Sequence, residues 1–143
     1  MPTTATADQR RDTFCVSRDE RSVPGARTRV RKILADWGLT GDLADDVTLS
    51  ADELVSNAIK HCDAIFAEIE ISVSVQGGAL ILEVSDPEKF KIPHVRNSTS
   101  EEESGRGLYL VSLLAESWGF RSRTYGKCVW ARFVIAKEVT CTD

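Results

Sequence analysis

Residues 53–61, ELVSNAIKH, decide how the rest of the chain is interpreted. Four apolar side chains in this stretch recur at helical spacing and form one face: Leu54, Val55, Ala58 and Ile59. Beside that face, Glu53, Asn57 and His61 follow one another at intervals of four residues, which places them in one row on an α-helix. The stretch therefore predicts the second half of an amphipathic helix that carries a carboxylate, an amide and an imidazole along the edge of its buried side.

Glu53 and Asn57 are expected to face the same small volume, because Cβ atoms four residues apart on a helix are separated by about 5–6 Å. A carboxylate can accept a proton from a hydroxyl group or from water. An amide oxygen is a hard ligand of the kind that Mg²⁺ accepts, and Mg²⁺ usually binds substrate phosphates as well. A metal–phosphate site beside this helix explains the pair, and the plainer alternative is a solvated helix flank.

The composition is that of one soluble domain. The chain has 143 residues, of which 42% are hydrophobic and 28% charged, both ordinary values. Its net charge of −4 argues against nucleic-acid binding by bulk attraction. No apolar run approaches the length of a membrane span, and the first residues have no apolar signal core, so we expect a cytoplasmic protein without a membrane partner. The cysteines have no C-x-x-C spacing, which argues against a zinc site or a disulfide framework: Cys15, Cys62, Cys128 and Cys141.

The hydrophobic pattern predicts alternating blocks of helix and strand. One helix is expected after Ser22 as its cap, with Pro24 in the first turn and Gly38 at its end, and a second over 42–61. Residues 13–17 read as a short edge strand, 67–75 alternate apolar and polar side chains, and 80–86 return as the second strand of a hairpin. A third helix opens on glycines near 105, and a final hairpin turns at 125–127.

These elements predict an α+β fold, a two-layer α/β sandwich with helices on one face of a mostly antiparallel mixed sheet. We expect residues 1–12 to be disordered, 13–137 to form a single domain and 138–143 to be a tail. The polar stretch 87–104 is longer than most structural connections, which is typical of a functional lid.

Three further segments add to the site hypothesis. Asp86 ends a strand before Pro87, and a carboxylate there can accept a hydrogen bond from the exocyclic amine of adenine; a turn residue is the alternative. The run Gly105-Arg106-Gly107 opens a helix after Ser104, so that backbone N–H groups can approach an anion closely. The last segment, Gly126-Lys127-Cys128, lies in the final hairpin and is by itself an ordinary turn.

The order of these segments resembles the ATPase domain shared by gyrase, histidine kinases, a heat-shock chaperone and mismatch-repair proteins, the GHKL or Bergerat fold. The resemblance covers about residues 22 to 135, and ELVSNAIKH and GRGL are its most specific parts. Within that fold, the small stand-alone domain is similar to the bacterial anti-sigma-factor serine/threonine kinases.

The resemblance implies ATP and Mg²⁺ as cofactors and assigns roles to residues. Asn57 is implied as the Mg²⁺ ligand, Glu53 as the base that accepts a proton from a serine or threonine hydroxyl, Asp86 as the adenine-reading residue and 87–104 as the ATP lid. Further nucleotide contacts are implied at the helix start and in the last hairpin: Ser104, Gly105, Arg106, Gly107, Leu108 and Cys128. Lys60 and His61 lie near the same pocket without an assigned role. Implied partners are a sigma factor, an anti-anti-sigma antagonist, or both, and a homodimer.

The chain departs from the family pattern at two points, which keeps other functions open. The usual D-x-G-x-G is Asp86-Pro87-Glu88-Lys89-Phe90 here, and Lys127-Cys128 stands where Gly-Thr is common. These departures favour an alternative, a regulator that binds nucleotide or sequesters a sigma factor without transferring phosphate. The catalytic half of a histidine kinase is a third hypothesis, opposed by the lack of a helical dimerisation segment, and a nucleotide-free structural domain is a fourth.

Overall fold

Five strands form one sheet. The computed structural model describes residues 9–61, 68–86, 107–123 and 126–135. The strands are β1 (Gln9–Ser17), β2 (Glu68–Gln76), β3 (Ala79–Asp86), β4 (Ser117–Arg123) and β5 (Gly126–Val134). They lie in the order β1-β2-β3-β5-β4. Each of the four pairings is antiparallel, so the described sheet contains no parallel pair, whereas a mixed, mostly antiparallel sheet was expected.

Among the described residues, three α-helices accompany the sheet: α1 (Val23–Asp36), α2 (Gly41–His61) and α3, described over 107–114. Pro24 lies in the first turn of α1, where its missing N–H costs nothing, and Gly38 follows the helix with a φ of 77°. Ser22 occupies the N-cap position, but its hydroxyl makes no cap bond and instead lies 3.0 Å from the Ser17 hydroxyl, so the predicted cap is wrong. In the described part of the chain, none of the helices is long and apolar enough to cross a membrane.

The helices pack on the sheet over the apolar face of β2. The apolar side chains of β2 are all buried, as predicted: Ile69, Ile71, Val73 and Val75. Above them, α2 contacts β2, β3 and β5, and α1 packs on α2. The α+β prediction is therefore confirmed, with α2 lying across the middle of the sheet. Burial of these aliphatic side chains contributes about 1.5–3 kcal/mol each.

The sheet begins earlier than the sequence indicated. The first described strand starts at Gln9 and pairs along its whole length with β2, so 9–12 are not disordered as predicted. Its Arg10 guanidinium lies 5.4 Å from the centre of the Trp37 ring and donates to the Trp37 carbonyl at 3.2 Å. Residues 9–12 show no apolar alternation, because this edge strand is held by backbone pairing and the aliphatic stems of its arginines cover apolar surface. The predicted edge position of 13–17 is confirmed.

The sheet face away from α2 carries charged and aromatic side chains. Glu83 in β3 accepts hydrogen bonds from Arg11 in β1, at 3.4 Å, and from Arg121 in β4. This carboxylate therefore links both edge strands to the middle strand. On the same face the Trp130 indole lies so close to Gly119 that a Cβ there would be 2.9 Å from an indole carbon.

Candidate functional site

The predicted polar row lies on α2 at the boundary of the core. Glu53 and Asn57 are half-buried, while Leu54, Val55 and Ile59 beside them are buried. This follows from the helical period, because the apolar stripe faces the sheet and the polar row lies at its margin. The helix thus holds a carboxylate and an amide on a rigid element where solvent access is restricted.

The start of α3 lies directly against this row. A Cβ added to Gly107 would be 2.8 Å from Glu53 Oε1 and 3.8 Å from Asn57 Nδ2. Gly107 is buried, and it is the first described residue of the helix. Any other residue there would meet the Glu53 carboxylate, so glycine permits the close approach of the two helices. The structure therefore brings Gly107 to Glu53 and Asn57, which lie at least fifty positions before it in the sequence.

Chain connectivity brings Asp86 to the end of the molecule where the C-terminal half of α2 lies. Only six residues separate the end of α2 at His61 from the start of β2 at Glu68. The first residues of β2 pair with the last residues of β3, and Glu70 lies opposite Ser85. The C-terminal half of α2 and the end of β3 are therefore at one end of the sandwich. Asp86 itself is 6% exposed and shares a strand face with the core residue Val84.

The register of β5 places Lys127, not Cys128, opposite Asp86. Cys128 pairs with Ser85, so strand alternation directs its side chain to the face that carries Glu83. Its thiol is fully buried. The sequence prediction named Cys128 as a nucleotide contact without fixing the register of the hairpin, and a shift of one residue exchanges the two faces. The nucleotide contact of Cys128 stays a prediction.

Several predicted residues are outside the described part of the chain. These are the lid 87–104 together with Ser104, Gly105 and Arg106. Leu108 is described, and its side chain packs against the hydrophobic core. If Leu108 contacts a ligand, it does so through its backbone. Lys60 is exposed and His61 half-buried at the end of α2.

An ion pair that the sequence did not reveal joins α1 to α2. Arg27 in α1 donates to Asp52 Oδ2 at 2.8 Å. Successive helical residues differ by about 100° around the axis, so Asp52 faces α1 while Glu53 faces α3. No local signal identifies this pair, because its partners are twenty-five residues apart and each is an ordinary charged residue on a helix.

One turn before Glu53, α2 contains a buried serine. Ser50 is fully buried, and its Oγ has no hydrogen-bond partner among the described residues. An unpaired buried hydroxyl costs about 1–3 kcal/mol. Its position in a predominantly apolar stretch gave no signal in the sequence. Nearer the helix start, burial and the neighbouring Asp42 and Asp45 raise the pKa of Asp46.

The residues brought together fit a magnesium nucleotide. Asn57 supplies an amide oxygen, which suits Mg²⁺, and Glu53 supplies a carboxylate, which can accept a proton. The glycine at 107 lets the backbone of α3 approach Glu53 closely, and backbone N–H groups at the N-terminal end of a helix favour anions. Among the described residues no cluster of three or more histidine, cysteine or acidic side chains could hold a metal by itself. A cation at Asn57 would thus share its ligands with a bound phosphate.

Comparisons with known proteins identify the fold and the family. No curated protein gives a significant match. Among solved structures 13 chains match, including the crystal structure of the RsbU and RsbW domains of Rv1364c from Mycobacterium tuberculosis. That match has a TM-score of 0.70 and 15% sequence identity, and it covers 94% of this chain but 35% of that one. At this identity it establishes the shared fold. A model of the histidine kinase-like ATPase domain matches residues 16–133. The resemblance stated from the sequence is thereby confirmed, and the chain belongs to the histidine kinase-like ATPase domain family.

Proposed function

We propose that this chain is an ATP-binding regulatory protein kinase that transfers phosphate to a serine or threonine of an antagonist protein. The observation that carries the proposal is the close approach of Gly107 to Glu53, with Asn57 beside it. In the proposal, Glu53 is the proton acceptor, Asn57 is the metal-binding amide, and the helix at Gly107 binds the anion. Family membership supports the nucleotide, and the resemblance to anti-sigma-factor kinases supports the acceptor.

Each residue has a definite role in this reaction. Bound ATP with Mg²⁺ supplies the transferable phosphoryl group and offsets its negative charge. Asn57 holds the metal through its amide oxygen. Glu53 accepts the proton of the acceptor hydroxyl, which requires an approach of about 2.6–3.2 Å. Asp86 accepts a hydrogen bond from the exocyclic amine of adenine and so orients the base.

The proposed partners are proteins. A sigma factor that the chain sequesters and an antagonist that it phosphorylates follow from the resemblance to anti-sigma-factor kinases, as does a homodimer. The structural similarity to the chain containing an RsbW domain supports this regulatory setting. We expect the protein to act in the cytoplasm.

A second function is favoured by one observation, the loss of the glycines beside the adenine-reading carboxylate. Both glycines that usually follow this aspartate in the family are replaced, at Glu88 and Phe90. If these changes weaken the base site, the chain acts as a regulator that binds its partner without transferring phosphate. The two functions differ in whether phosphate reaches the partner.

Calorimetric titration with ATP, with and without Mg²⁺, tests the nucleotide site. We expect Mg²⁺-dependent binding that is lost in Asn57→Ala, because the amide oxygen is the proposed metal ligand. Transfer of labelled γ-phosphate to a cognate partner tests the kinase, with Glu53→Gln as the inactive variant. Glu20→Gln is the matched control, because Glu20 is exposed in the turn before α1. Transfer that survives in Glu53→Gln would refute the role of Glu53, and complex formation without transfer would favour the second function.

A further inference from the structure

We propose that Lys127 reads the base of the nucleotide together with Asp86, as a second specificity-determining residue. The inference rests on the proposed function, because it concerns the same bound nucleotide. It assigns to this chain a base contact through a lysine ammonium donor, one position before the Cys128 that the sequence prediction named as a nucleotide contact.

The register of the sheet carries this assignment. Lys127 in β5 is the direct cross-strand partner of Asp86 in β3, and directly opposite residues on antiparallel strands have Cβ atoms about 4.5–5.5 Å apart. Both side chains are on the sheet face that packs against α2, because Val84 and Val129, two residues farther along each strand, pack with the core there. Asp86 is buried, whereas Lys127 is exposed.

The charges around Lys127 leave its ammonium group available. Its other cross-strand neighbour is Ser122 in β4, which is neutral and exposed. Within the described ranges of the chain, Lys127 forms no ion pair. Since its flexible stem carries three N–H donors, the side chain can direct one of them toward a group held at Asp86.

The two side chains complement the edge of adenine. The exocyclic amine at N6 donates a hydrogen bond, and the adjacent ring nitrogen N1 accepts one. Asp86 is an acceptor and Lys127 a donor, so together they match both groups. Hydrogen bonds from an ionised donor are about twice as strong as neutral ones, which makes the lysine contact a measurable part of the affinity for ATP.

A thermodynamic cycle tests the contact. ATP and 1-deaza-ATP, which lacks the N1 acceptor, are titrated into the wild-type protein and into Lys127→Ala. We expect removal of either partner alone to weaken binding about tenfold, equivalent to about 1.4 kcal/mol, and removal of both to add little more. Lys32→Ala is the matched control, because Lys32 is an exposed lysine on α1 that pairs with Asp36; it should leave both affinities unchanged.

The outcomes separate this inference from the proposed function. If Lys127→Ala weakened the binding of ATP and of 1-deaza-ATP equally, the inference would be overturned, because the lysine would then contact phosphate or raise the overall electrostatic potential of the site. Unchanged ATP binding in Lys127→Ala would overturn it as well, while the proposed function stands. Failure of the wild-type protein to bind ATP would overturn both. The thermal unfolding of Lys127→Ala serves to establish that the variant is folded.

Discussion

Replacement of Gly107 by alanine should separate catalysis from binding. The added Cβ would lie 2.8 Å from Glu53 Oε1 but 3.8 Å from Asn57 Nδ2. The first distance is shorter than any tolerated contact, whereas the second is an ordinary van der Waals separation. Glu53 must therefore move, and Asn57 keeps its place. We expect Mg²⁺-dependent ATP affinity to change less than threefold, and the rate of ATP hydrolysis or phosphate transfer to fall roughly hundredfold, the cost of a small misplacement of a catalytic group.

The expected change in stability is small. The atom that the Cβ meets is the end of a flexible side chain, so the clash is relieved by rotation of Glu53, at a cost of about 0.5–1.5 kcal/mol. Alanine in place of glycine in a helix contributes about 0.5–1 kcal/mol in the opposite direction. The two terms nearly cancel, so urea unfolding should give a free energy within about 1 kcal/mol of the wild-type value.

Gly25→Ala is the matched control for this substitution. Gly25 also lies in a helix, and a Cβ there would have no heavy atom within 4 Å. The control should gain about 0.5–1 kcal/mol of stability from helix propensity alone and keep full activity. A second variant, Gly107→Ala with Glu53→Asp, retracts the carboxylate by about one carbon–carbon bond, or ~1.5 Å. It should remove the clash, and unfolding should show no strain.

Two results would refute the reasoning about Gly107. Full activity in Gly107→Ala would mean that the position of the Glu53 carboxylate does not matter for the reaction. A destabilisation of more than about 2 kcal/mol would mean that Glu53 is held too firmly to rotate, and the site would then be a packed helix contact in which glycine serves stability.

Three further predictions concern charge. Burial and the acidic neighbour one turn away raise the pKa of Asp46, so the folded state holds this proton more tightly, and stability falls as pH rises through that pKa. Asp46→Asn should therefore raise Tm by about 1–3 °C at pH 7, from about 0.2–0.5 kcal/mol of relieved repulsion. The same substitution should give no gain at pH 3, where the carboxyl group is protonated. Glu83→Gln removes two partly exposed ion pairs and should cost about 1 kcal/mol in urea unfolding at low salt but much less at 1 M salt; a loss that does not depend on salt would contradict an electrostatic role. Hydrogen bonds from Arg21 lower the pKa of Asp19 to about 2, so the contribution of Asp19 to stability is present above its ordinary pKa and is lost as pH falls through about 2. Arg21→Ala should return this pKa toward 3.8, as measured by NMR titration. An unchanged pKa would contradict the assigned cause.

The helices and the central strands could be predicted because their signals are local. The apolar period of α2 and the alternation of β2 each follow from residues within one element. Both elements form as expected, although Ser72 and Ser74 on the other face of β2 are buried as well. The first strand could not be delimited in this way. Residues 9–12 gain their structure from pairing with β2, which is about sixty positions away in the sequence, so nothing in their own pattern marks them as a strand.

The same distinction explains which parts of the candidate site could be inferred. Glu53 and Asn57 were found because one helix fixes their spacing, and Gly107 because glycine at a helix start is unusual without a reason. The contact among the three residues is tertiary and emerged only from the structure. Lys127 shows the limit most clearly: the choice between it and Cys128 as the partner of Asp86 depends on a register that any one-residue shift reverses. Motif spacing therefore selected the hairpin, and only the cross-strand pairing showed which of its residues lies opposite Asp86.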